Sequence, residues 1–444
     1  MRTIEQHARA LTDGRTTSRA LVEQCLARIA DPNGEGPRAF IKVHAEQARA
    51  MADAMDTLRR AGREPSRYAG IPVSLKDLFD IAGDATPAGS RVLADAPPAA
   101  AHAPVVQRML AAGFVPMGRT NMTEFAFSGL GINPHYGTPS SPWDRVARRI
   151  PGGSSSGTAV SVSDGMAIAG LGTDTGGSCR IPAAFCGIVG YKPTARRVPI
   201  TGVLPLAPSL DSVGPLAPSV ACCAVIDAVL AGETPALPVP ASLNGLRLAV
   251  PTNVVLDGMD AMVSSAFDRA LATLSRAGAR IVQTHFAAFD EVPAVNAKGG
   301  FAASEAFAWH RPLLAEKGAG YDPRIRTRIE RGARMTATDY LELVAARQRL
   351  IAGFDANTRE FDVLVMPTVP IVPPRIAELD DEHEYNRINL HILRNTALGN
   401  FFDRCSISLP CHRDGEPPVG LMLIGETLGD ATLFSIAAAV EAAL

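Results

Sequence analysis

The sequence lacks the cysteine spacing of a disulfide framework or a zinc site. Its seven cysteines are odd in number, and no two of them form a C-x-x-C pair. Disulfide-rich secreted domains and zinc sites both depend on paired, regularly spaced cysteines. The pattern therefore predicts reduced, buried thiols, as in a cytoplasmic protein, and no metal site built from cysteine.

Long apolar runs and an excess of one charge are also missing. No segment approaches the ~18 consecutive apolar residues that a membrane-spanning helix needs. The N-terminal sequence MRTIEQHARALTDGR is a charged amphipathic pattern without the apolar stretch of a secretion signal. The net charge is −2, so overall charge favours neither nucleic acid nor an anionic membrane. We expect a cytoplasmic protein with neither as a partner.

What is present is a large apolar fraction arranged in alternating strand and helix patterns. Hydrophobic residues make up 47% of the chain, whereas aromatic residues make up only 5%, which gives no sign of an aryl or lipid tunnel. A strand-like run in AGIPVSLKDLFD is followed by a helix and a strand in APVVQRMLAAGFVPMGRTNM, and the order recurs after LRLAVP. This alternation predicts an α/β fold.

The chain shows no internal repeat and no low-complexity linker, so we expect a single domain over residues 1–444. Its predicted parts are a helical lead-in (1–65), a core (66–225) and a remaining α/β part (226–444) with a variable, mostly helical region at about 290–400. Within the lead-in, residues 3–13 and 17–30 have the apolar spacing of helices.

Two glycine–serine clusters stand out, GGSSSG at 152–157 and DTGGS at 174–178. A flexible linker is excluded because AVSVSDGMAIAGLG between them is too apolar to stay solvated. A P-loop is disfavoured because its lysine is missing. The first cluster also matches the G-x-S-x-G nucleophile elbow, which would make Ser155 the nucleophile of a Ser-His-Asp hydrolase. The candidate histidines for that alternative are His285, His310, His383, His391 and His412.

A longer pattern resembles the amidase signature family. GGSSSG is followed by GTDTGGSCRIPAAFCGIVGYKPT, with AGIPVSLKDLFD and GRTNMTEFAFSG upstream and SLDSVGPLAPSV downstream. The match covers most of residues 65–225. It implies the amidase signature fold, a large mixed β-sheet covered on both faces by α-helices. It also implies hydrolysis of a carboxamide C–N bond through an acyl-enzyme. Because the sequence shows no clustered His, Cys and carboxylate spacing, we expect no cofactor or metal.

The same resemblance implies a Ser–cis-Ser–Lys triad. Carried over by position, the nucleophile is Ser178 in DTGGS, the bridging serine is Ser154 in GGSSSG, and the base is Lys76 in VSLKD. The peptide bond from Gly153 to Ser154 is expected to be cis. The oxyanion is expected to bind to the backbone N–H groups of Thr175, Gly176, Gly177 and Ser178.

The chemistry of amide hydrolysis explains these residue types. An amide carbonyl is a poor electrophile, so attack needs an activated hydroxyl and donors for the developing oxyanion. Lys76 can act as a base only when neutral, and its pKa of about 10.4 must fall through burial. The apolar neighbours Val73, Leu75 and Leu78 fit a buried lysine, whereas Asp77 must point elsewhere.

Five further residues match the family pattern in supporting or binding positions. We expect Ser155 to support the triad, and Asp174 and Arg180 to pair and brace the loop that carries the nucleophile, because a guanidinium holds a carboxylate bidentately. Met122 and Glu124, in TNMTEFA, are expected to line the substrate pocket.

The substrate itself is less well defined. One branch of the family is the A subunit of glutamine-dependent aminoacyl-tRNA amidotransferases, which usually carries an acidic residue for the ammonium group of glutamine. Leu393 aligns there, although Asp403 or Glu384 could compensate. We therefore favour a stand-alone bacterial amidase whose partner is a small-molecule amide, aliphatic, aryl or ureido, with specificity set by region 290–400. A homodimer is left open.

Overall fold

An 11-stranded mixed sheet runs through the molecule in the computed structural model, which describes residues 1–444. The strands, in chain order, are β1 Phe40–Val43, β2 Pro72–Lys76, β3 Val115–Thr120, β4 Ala169–Asp174, β5 Val189–Lys192, β6 Ser212–Ala217, β7 Arg247–Pro251, β8 Arg280–Thr284, β9 Val363–Pro367, β10 Ser406–Pro410 and β11 Gly420–Ile424. Their order across the sheet is β1-β3-β2-β4-β6-β5-β10-β11-β9-β7-β8. β2 pairs in parallel with β3 and β4, and β7 with β8 and β9, whereas the other pairs are antiparallel.

The α-helices alternate with these strands along the chain. They are α1 Ile4–Thr12, α2 Ser18–Ile29, α3 Gly36–Ala39, α4 Ala45–Arg60, α5 Pro104–Ala111, α6 Ser156–Ser163, α7 Arg180–Cys186, α8 Val220–Ala231, α9 Ala261–Arg276, α10 Ala287–Val295, α11 Gly300–Lys317, α12 Pro323–Glu330, α13 Ala337–Thr358, α14 Glu382–Phe401 and α15 Asp430–Ala443. The predicted lead-in helices are confirmed, and each has a threonine at its N-cap, Thr3 or Thr17, whose hydroxyl accepts a first-turn N–H.

Both faces of the sheet are buried. Because side chains alternate along a strand, Leu421 and Leu423 of β11 pack into one hydrophobic cluster with residues of α8 and α15. Met422 and Ile424 of the same strand pack into another cluster with residues of α13 and α14. The α/β class and the mixed sheet covered by helices are therefore confirmed. One domain across residues 1–444 stays our proposal, which the continuous sheet supports.

Two features of the fold place the site. β2 and β4 are adjacent and parallel, with Leu75 opposite Leu171, so their carboxyl ends, Lys76 and Asp174, lie at the same edge of the sheet. Ligands of α/β sheets commonly bind at that edge. The two glycine–serine clusters lie here as well, since GGSSSG leads into α6 and DTGGS joins β4 to α7. No helix of the chain combines the length and the apolar character needed to cross a membrane.

Candidate active site

Lys76 ends β2 as a fully buried amine with two hydroxyl partners. Its Nζ donates to Ser154 Oγ at 2.7 Å and to Thr173 Oγ1 at 2.8 Å. Burial opposes the ammonium form and lowers the pKa of Lys76 from 10.5 to about 8. A substantial fraction of the side chain is therefore neutral in weak alkali, as a general base requires. Thr173 was not predicted from the sequence, although it lies one residue before Asp174 on β4, the strand beside β2.

The carboxylate of Asp77, the residue that follows Lys76, is turned away from the Lys76 amine. Its carboxylate accepts from Arg119 Nε at 2.6 Å and from the N–H of Gly89 at 2.9 Å. Arg119 and Asp77 are both buried and form an ion pair. The prediction that the carboxylate points away from Lys76 is confirmed.

Close main-chain contacts hold Ser154. The Gly153–Ser154 peptide bond is cis. The Gly153 N–H donates to the carbonyl of Gly129 at 2.7 Å, and the Ser154 carbonyl accepts from the Thr123 N–H at 3.1 Å. A Cβ atom on Gly153 would lie 2.5 Å from the backbone nitrogen of Gly131, so only glycine fits at this position.

Ser178 lies beside this segment. The N–H of Ser155 donates to the Ser178 carbonyl at 3.3 Å, which ties the two clusters together. The Ser155 hydroxyl donates to the Thr173 carbonyl at 3.4 Å, so Ser155 contacts both loops and the strand. The Ser178 hydroxyl forms no hydrogen bond within the protein and lines a cavity. Catalytic hydrogen bonds are often long in ligand-free structures and tighten when substrate binds.

The loop from Thr175 to Ser178 differs from prediction at one position. The N–H of Gly177 already donates to Asp174 Oδ1 at 2.8 Å, so it is not free for a substrate oxygen. The N–H groups of Thr175, Gly176 and Ser178 have no acceptor within the protein. Three of the four predicted oxyanion donors are therefore available, and the fourth instead shapes the turn.

Asp174 and Arg180 brace this loop. Arg180 donates to both carboxylate oxygens of Asp174, at 2.8 and 3.0 Å, and both side chains are fully buried. Burial by itself would raise the pKa of Asp174, but the adjacent Arg180 outweighs it and the pKa falls to about 2. Arg180 also donates to the Thr396 carbonyl and to Asn400 Oδ1, which ties the loop to α14. Arg180 does not line the cavity.

A cavity of about 310 Å³ opens in front of Ser178. Eleven of its 20 lining residues are hydrophobic, and none is acidic. Besides Thr175, Gly176 and Ser178, the lining consists of Ala126, Phe127, Ser128, Leu206, Leu210, Val292, Asn296, Gly299, Gly300, Phe301, Ala302, Arg328, Arg331, Leu390, Leu393, Ala397 and Phe401. Much of this wall comes from region 290–400.

Met122 and Glu124 are not among the lining residues. Glu124 is fully buried, and its carboxylate accepts from Ser90 at 2.6 Å and from the Asp322 N–H at 2.7 Å. The Met122 side chain is buried, and its carbonyl accepts from Asn133 at 2.7 Å. Both residues therefore make their contacts within the protein, outside the cavity. The wall is formed instead by the next residues of the same segment, Ala126, Phe127 and Ser128.

No histidine is placed to serve Ser155 or Ser178. Neither hydroxyl is hydrogen-bonded to an imidazole, and no histidine lines the cavity. His310 is buried against Tyr321, whose hydroxyl lies 2.9 Å from its Nδ1, and burial lowers its pKa to about 4. Cys179, next to Ser178, is fully buried, and burial raises its thiol pKa well above the usual value. The geometry favours neither a Ser-His-Asp nor a thiol nucleophile.

Comparison with known proteins gives the family. The Amidase family profile matches residues 20–434. This chain belongs to the amidase family. The amidase is 38% identical to 2-amino-5-chloromuconic acid deaminase of Comamonas testosteroni, over 99% of this chain and 95% of that protein. It is 34% identical to the A subunit of Glutamyl-tRNA(Gln) amidotransferase from Chloroflexus aggregans, over 99% and 96% of the two chains. A crystal structure of an amidase superposes with a TM-score of 0.90 at 31% identity, covering 100% of both chains.

Leu393 is the residue that aligns with the acidic side chain expected in a glutamine-dependent amidotransferase subunit. Leu393, on α14, lines the cavity and presents an apolar side chain there. Neither Asp403 nor Glu384 supplies a carboxylate to the cavity in its place. Asp403 pairs with Arg196, and Glu384 pairs with Arg387 on the exposed start of α14. The cavity thus contains no carboxylate for a substrate ammonium group.

Proposed function

We propose that this amidase hydrolyses the C–N bond of a small carboxamide through an acyl-enzyme on Ser178. The observation that carries the proposal is the 2.7 Å hydrogen bond between the buried Lys76 amine and Ser154 Oγ, beside a Ser178 that faces the cavity. A lysine with a pKa of about 8 and a free hydroxyl are the base and the nucleophile that an unreactive amide requires.

The steps follow from the contacts. Neutral Lys76 accepts the Ser154 proton while Ser154 accepts the Ser178 proton, and Ser178 Oγ attacks the amide carbon. The negative charge on the carbonyl oxygen is stabilised by the free N–H groups of Thr175, Gly176 and Ser178. Ser154 returns a proton to the leaving nitrogen, which departs as ammonia or an amine. Water then attacks the acyl-enzyme by the same route and releases a carboxylate.

The lining of the cavity is better suited to a stand-alone amidase than to the glutamine-hydrolysing subunit of an amidotransferase. Glutamine carries an ammonium group, and the lining offers it Leu393 and two arginines but no acid. The 2-amino-5-chloromuconic acid deaminase acts, by its name, on an acid that carries an amino group, and it is a relative over nearly the whole chain. We propose a small organic amide as substrate, with no second protein required. A cytoplasmic location stays a prediction, and a homodimer stays open.

We propose no cofactor or metal for the reaction. No group of three or more His, Cys, Asp or Glu side chains is close enough together to hold a metal ion. The residues around Ser178 supply a base, a proton relay and oxyanion donors without one.

Covalent labelling tests the assignment. We expect a serine-directed phosphonate to modify Ser178 alone, read by peptide mass spectrometry, and Ser178→Ala to abolish both labelling and ammonia release. Ser154→Ala and Lys76→Ala should each lower turnover by several orders of magnitude, and the double variant should be little worse, because residues that relay one proton act as a unit. A label on Ser155 would instead support the nucleophile-elbow alternative.

A substrate panel tests the reaction class. Ammonia release would be measured with small aliphatic and aryl amides, ureido compounds such as biuret, and glutamine. Hydrolysis of small amides by the isolated chain supports the proposal. Activity on glutamine alone, appearing only when partner proteins are added, would support the amidotransferase alternative.

A further inference from the structure

The sheet places a buried aspartate opposite Thr175. β4 and β6 are antiparallel neighbours, and their pairing ends with Asp174 opposite Ser212. Thr175 follows β4 and Asp211 precedes β6, so the two residues face each other one step beyond this last pair. Side chains that face each other on antiparallel strands lie close enough to bond. The Thr175 hydroxyl donates to Asp211 Oδ1 at 2.5 Å.

Thr175 is fixed through its side chain in the loop that carries Ser178. Its N–H and its carbonyl have no hydrogen-bond partner in the protein, so the bond from its hydroxyl to Asp211 is its only one. The next residue, Gly176, has no Cβ to restrict the backbone, although Thr396 Oγ1 donates to its carbonyl at 2.6 Å. The direction of the Thr175 N–H, a donor available to the oxyanion, therefore depends on the contact with Asp211.

Asp211 is in turn held by a turn next to the cavity. Its N–H donates to the carbonyl of Ala207 at 2.8 Å. Its Oδ2 accepts from the N–H of Leu206 at 3.0 Å and from the N–H of Ala207 at 3.1 Å. Leu206 lines the cavity in front of Ser178. The carboxylate thus connects Thr175 to a fixed segment of the cavity wall.

The contacts of Asp211 require a carboxylate. Three donors reach its two oxygens, namely the Thr175 hydroxyl and the N–H groups of Leu206 and Ala207. A carboxylate accepts on both oxygens, whereas an amide has only one acceptor oxygen. All three donors are neutral, and burial raises the pKa of Asp211. A buried charge without a counter-charge costs stability, and packing alone does not require it.

We propose that Asp211 is a positioning residue of this amidase, which directs the N–H of Thr175 towards the oxyanion through the Thr175 hydroxyl. This inference rests on the function proposed above. Asp211 does not line the cavity in front of Ser178, so it acts through Thr175 and not on the substrate. Because the oxyanion forms only during attack, the contact should affect the transition state and not the binding of substrate.

Thr175→Val tests the proposal in the full-length enzyme, because it removes the hydroxyl and keeps the N–H and the branched side chain. The probes are para-nitroacetanilide, followed by release of para-nitroaniline, and a small alkyl fluorophosphonate, which modifies Ser178 with loss of fluoride. We expect kcat and the labelling rate to fall about 10-fold, which is less than the loss of a donor outright. KM should stay within about twofold of the wild-type value. Thr175→Ser keeps the hydroxyl and should retain the wild-type kcat.

Variants of Asp211 connect this effect to the carboxylate. Asp211→Ala should lower kcat about 100-fold, and adding Thr175→Val should lower it little further, because both substitutions remove the same contact. Asp211→Asn should keep part of the activity. Its amide oxygen can accept from the N–H of Ala207 while its NH₂ group donates to the Thr175 hydroxyl.

A second buried threonine–aspartate pair provides the matched control. Thr194 Oγ1 donates to Asp430 Oδ2 at 2.9 Å, and the Thr194 N–H donates to Asp430 Oδ1 at 3.0 Å. Both side chains are buried, and neither lines the cavity. Thr194→Val should lower the temperature of thermal unfolding, as Thr175→Val does, but leave kcat and the labelling rate unchanged.

The outcomes separate this inference from the proposed function. Thr175→Val with the wild-type kcat and labelling rate, or with a loss confined to KM, would overturn the role of Asp211 while the amidase mechanism stands. An equal loss of kcat in Thr194→Val would also overturn it, since the effect would then come from stability alone. If the anilide is not hydrolysed but Ser178 is labelled, the labelling rates decide. If the wild type shows neither reaction, the proposed function itself fails, and this inference fails with it.

Discussion

Thr173 Oγ1 accepts a hydrogen bond from Lys76 Nζ at 2.8 Å, so the amine is held between a strand hydroxyl and the Ser154 hydroxyl. Removing the acceptor in Thr173→Val should disfavour the charged amine and lower the Lys76 pKa further. We expect the acidic limb of the kcat/KM profile to move to lower pH and the plateau to fall about 10-fold, because Lys76 loses one of its anchors.

Thr173→Ser keeps the hydroxyl and is the matched control, which should retain the wild-type midpoint. A Thr173→Val profile with an unchanged midpoint and plateau would show that the hydrogen bond has no role in positioning the base.

Substitution by alanine should lower the free energy of unfolding more at Gly177 than at Gly176. Gly177 has a φ of +135°, and an added Cβ would lie 2.2 Å from Thr396 Oγ1. Gly176 lacks such a φ, and its nearest neighbour would be Leu393 at 3.5 Å. Gly177→Ala should lower the free energy of unfolding by about 2 kcal/mol or more, and Gly176→Ala by less than about 0.5 kcal/mol. Denaturant unfolding measures both, and equal losses would contradict the turn geometry.

Asp174→Asn should destabilise the fold because it leaves the buried Arg180 without a counter-charge, at a cost of about 3–5 kcal/mol. The wild-type contribution depends on pH. Asp174 has a pKa of about 2 in the folded chain against an ordinary 3.8, so its contribution is complete above pH 3.8 and is lost as pH falls towards 2.

Thermal unfolding from pH 7 to pH 3 should therefore show a gap between wild type and Asp174→Asn that narrows in acid. A gap that stays constant or widens would mean that the carboxylate charge does not support the loop.

Chelation should leave the enzyme active. The residues around Ser178 form a base, a relay and oxyanion donors, and no cluster of metal-ligating side chains accompanies them. We expect the rate after EDTA treatment and dialysis to equal that of the untreated enzyme. Loss of activity that zinc restores would overturn the serine–lysine mechanism.

The central part of the site could be predicted because its residues belong to short motifs. VSLKD, GGSSSG and DTGGS match the amidase signature pattern, and it is this resemblance that assigns Lys76, Ser154 and Ser178 to the triad. The role of the Gly177 N–H could not be predicted, because it depends on which way the Asp174 side chain turns within the loop. Thr173 could have been suggested by its place beside β2, but the register of the two strands was not visible in the sequence.

The cavity wall was beyond sequence reasoning for a different reason. Arg328, Arg331 and Leu393 come from helices more than 140 residues away from Ser178, and nothing local in their patterns shows that they face it. Their positions depend on how α12 and α14 pack against the sheet. Met122 and Glu124 illustrate the same limit, since their motif does reach the cavity, but through the residues that follow them.

The measurement that tests the account most directly is the pH dependence of kcat/KM. Lys76 is active when neutral, and its pKa is about 8, so the rate should rise from mild acid through a midpoint near 8 to a plateau in alkali. Alanine variants of His285, His310, His383, His391 and His412 should keep this midpoint, and Lys76→Arg should be inactive because arginine stays charged. A midpoint near 6.5, the ordinary pKa of histidine, that disappears with one histidine variant would contradict the lysine mechanism.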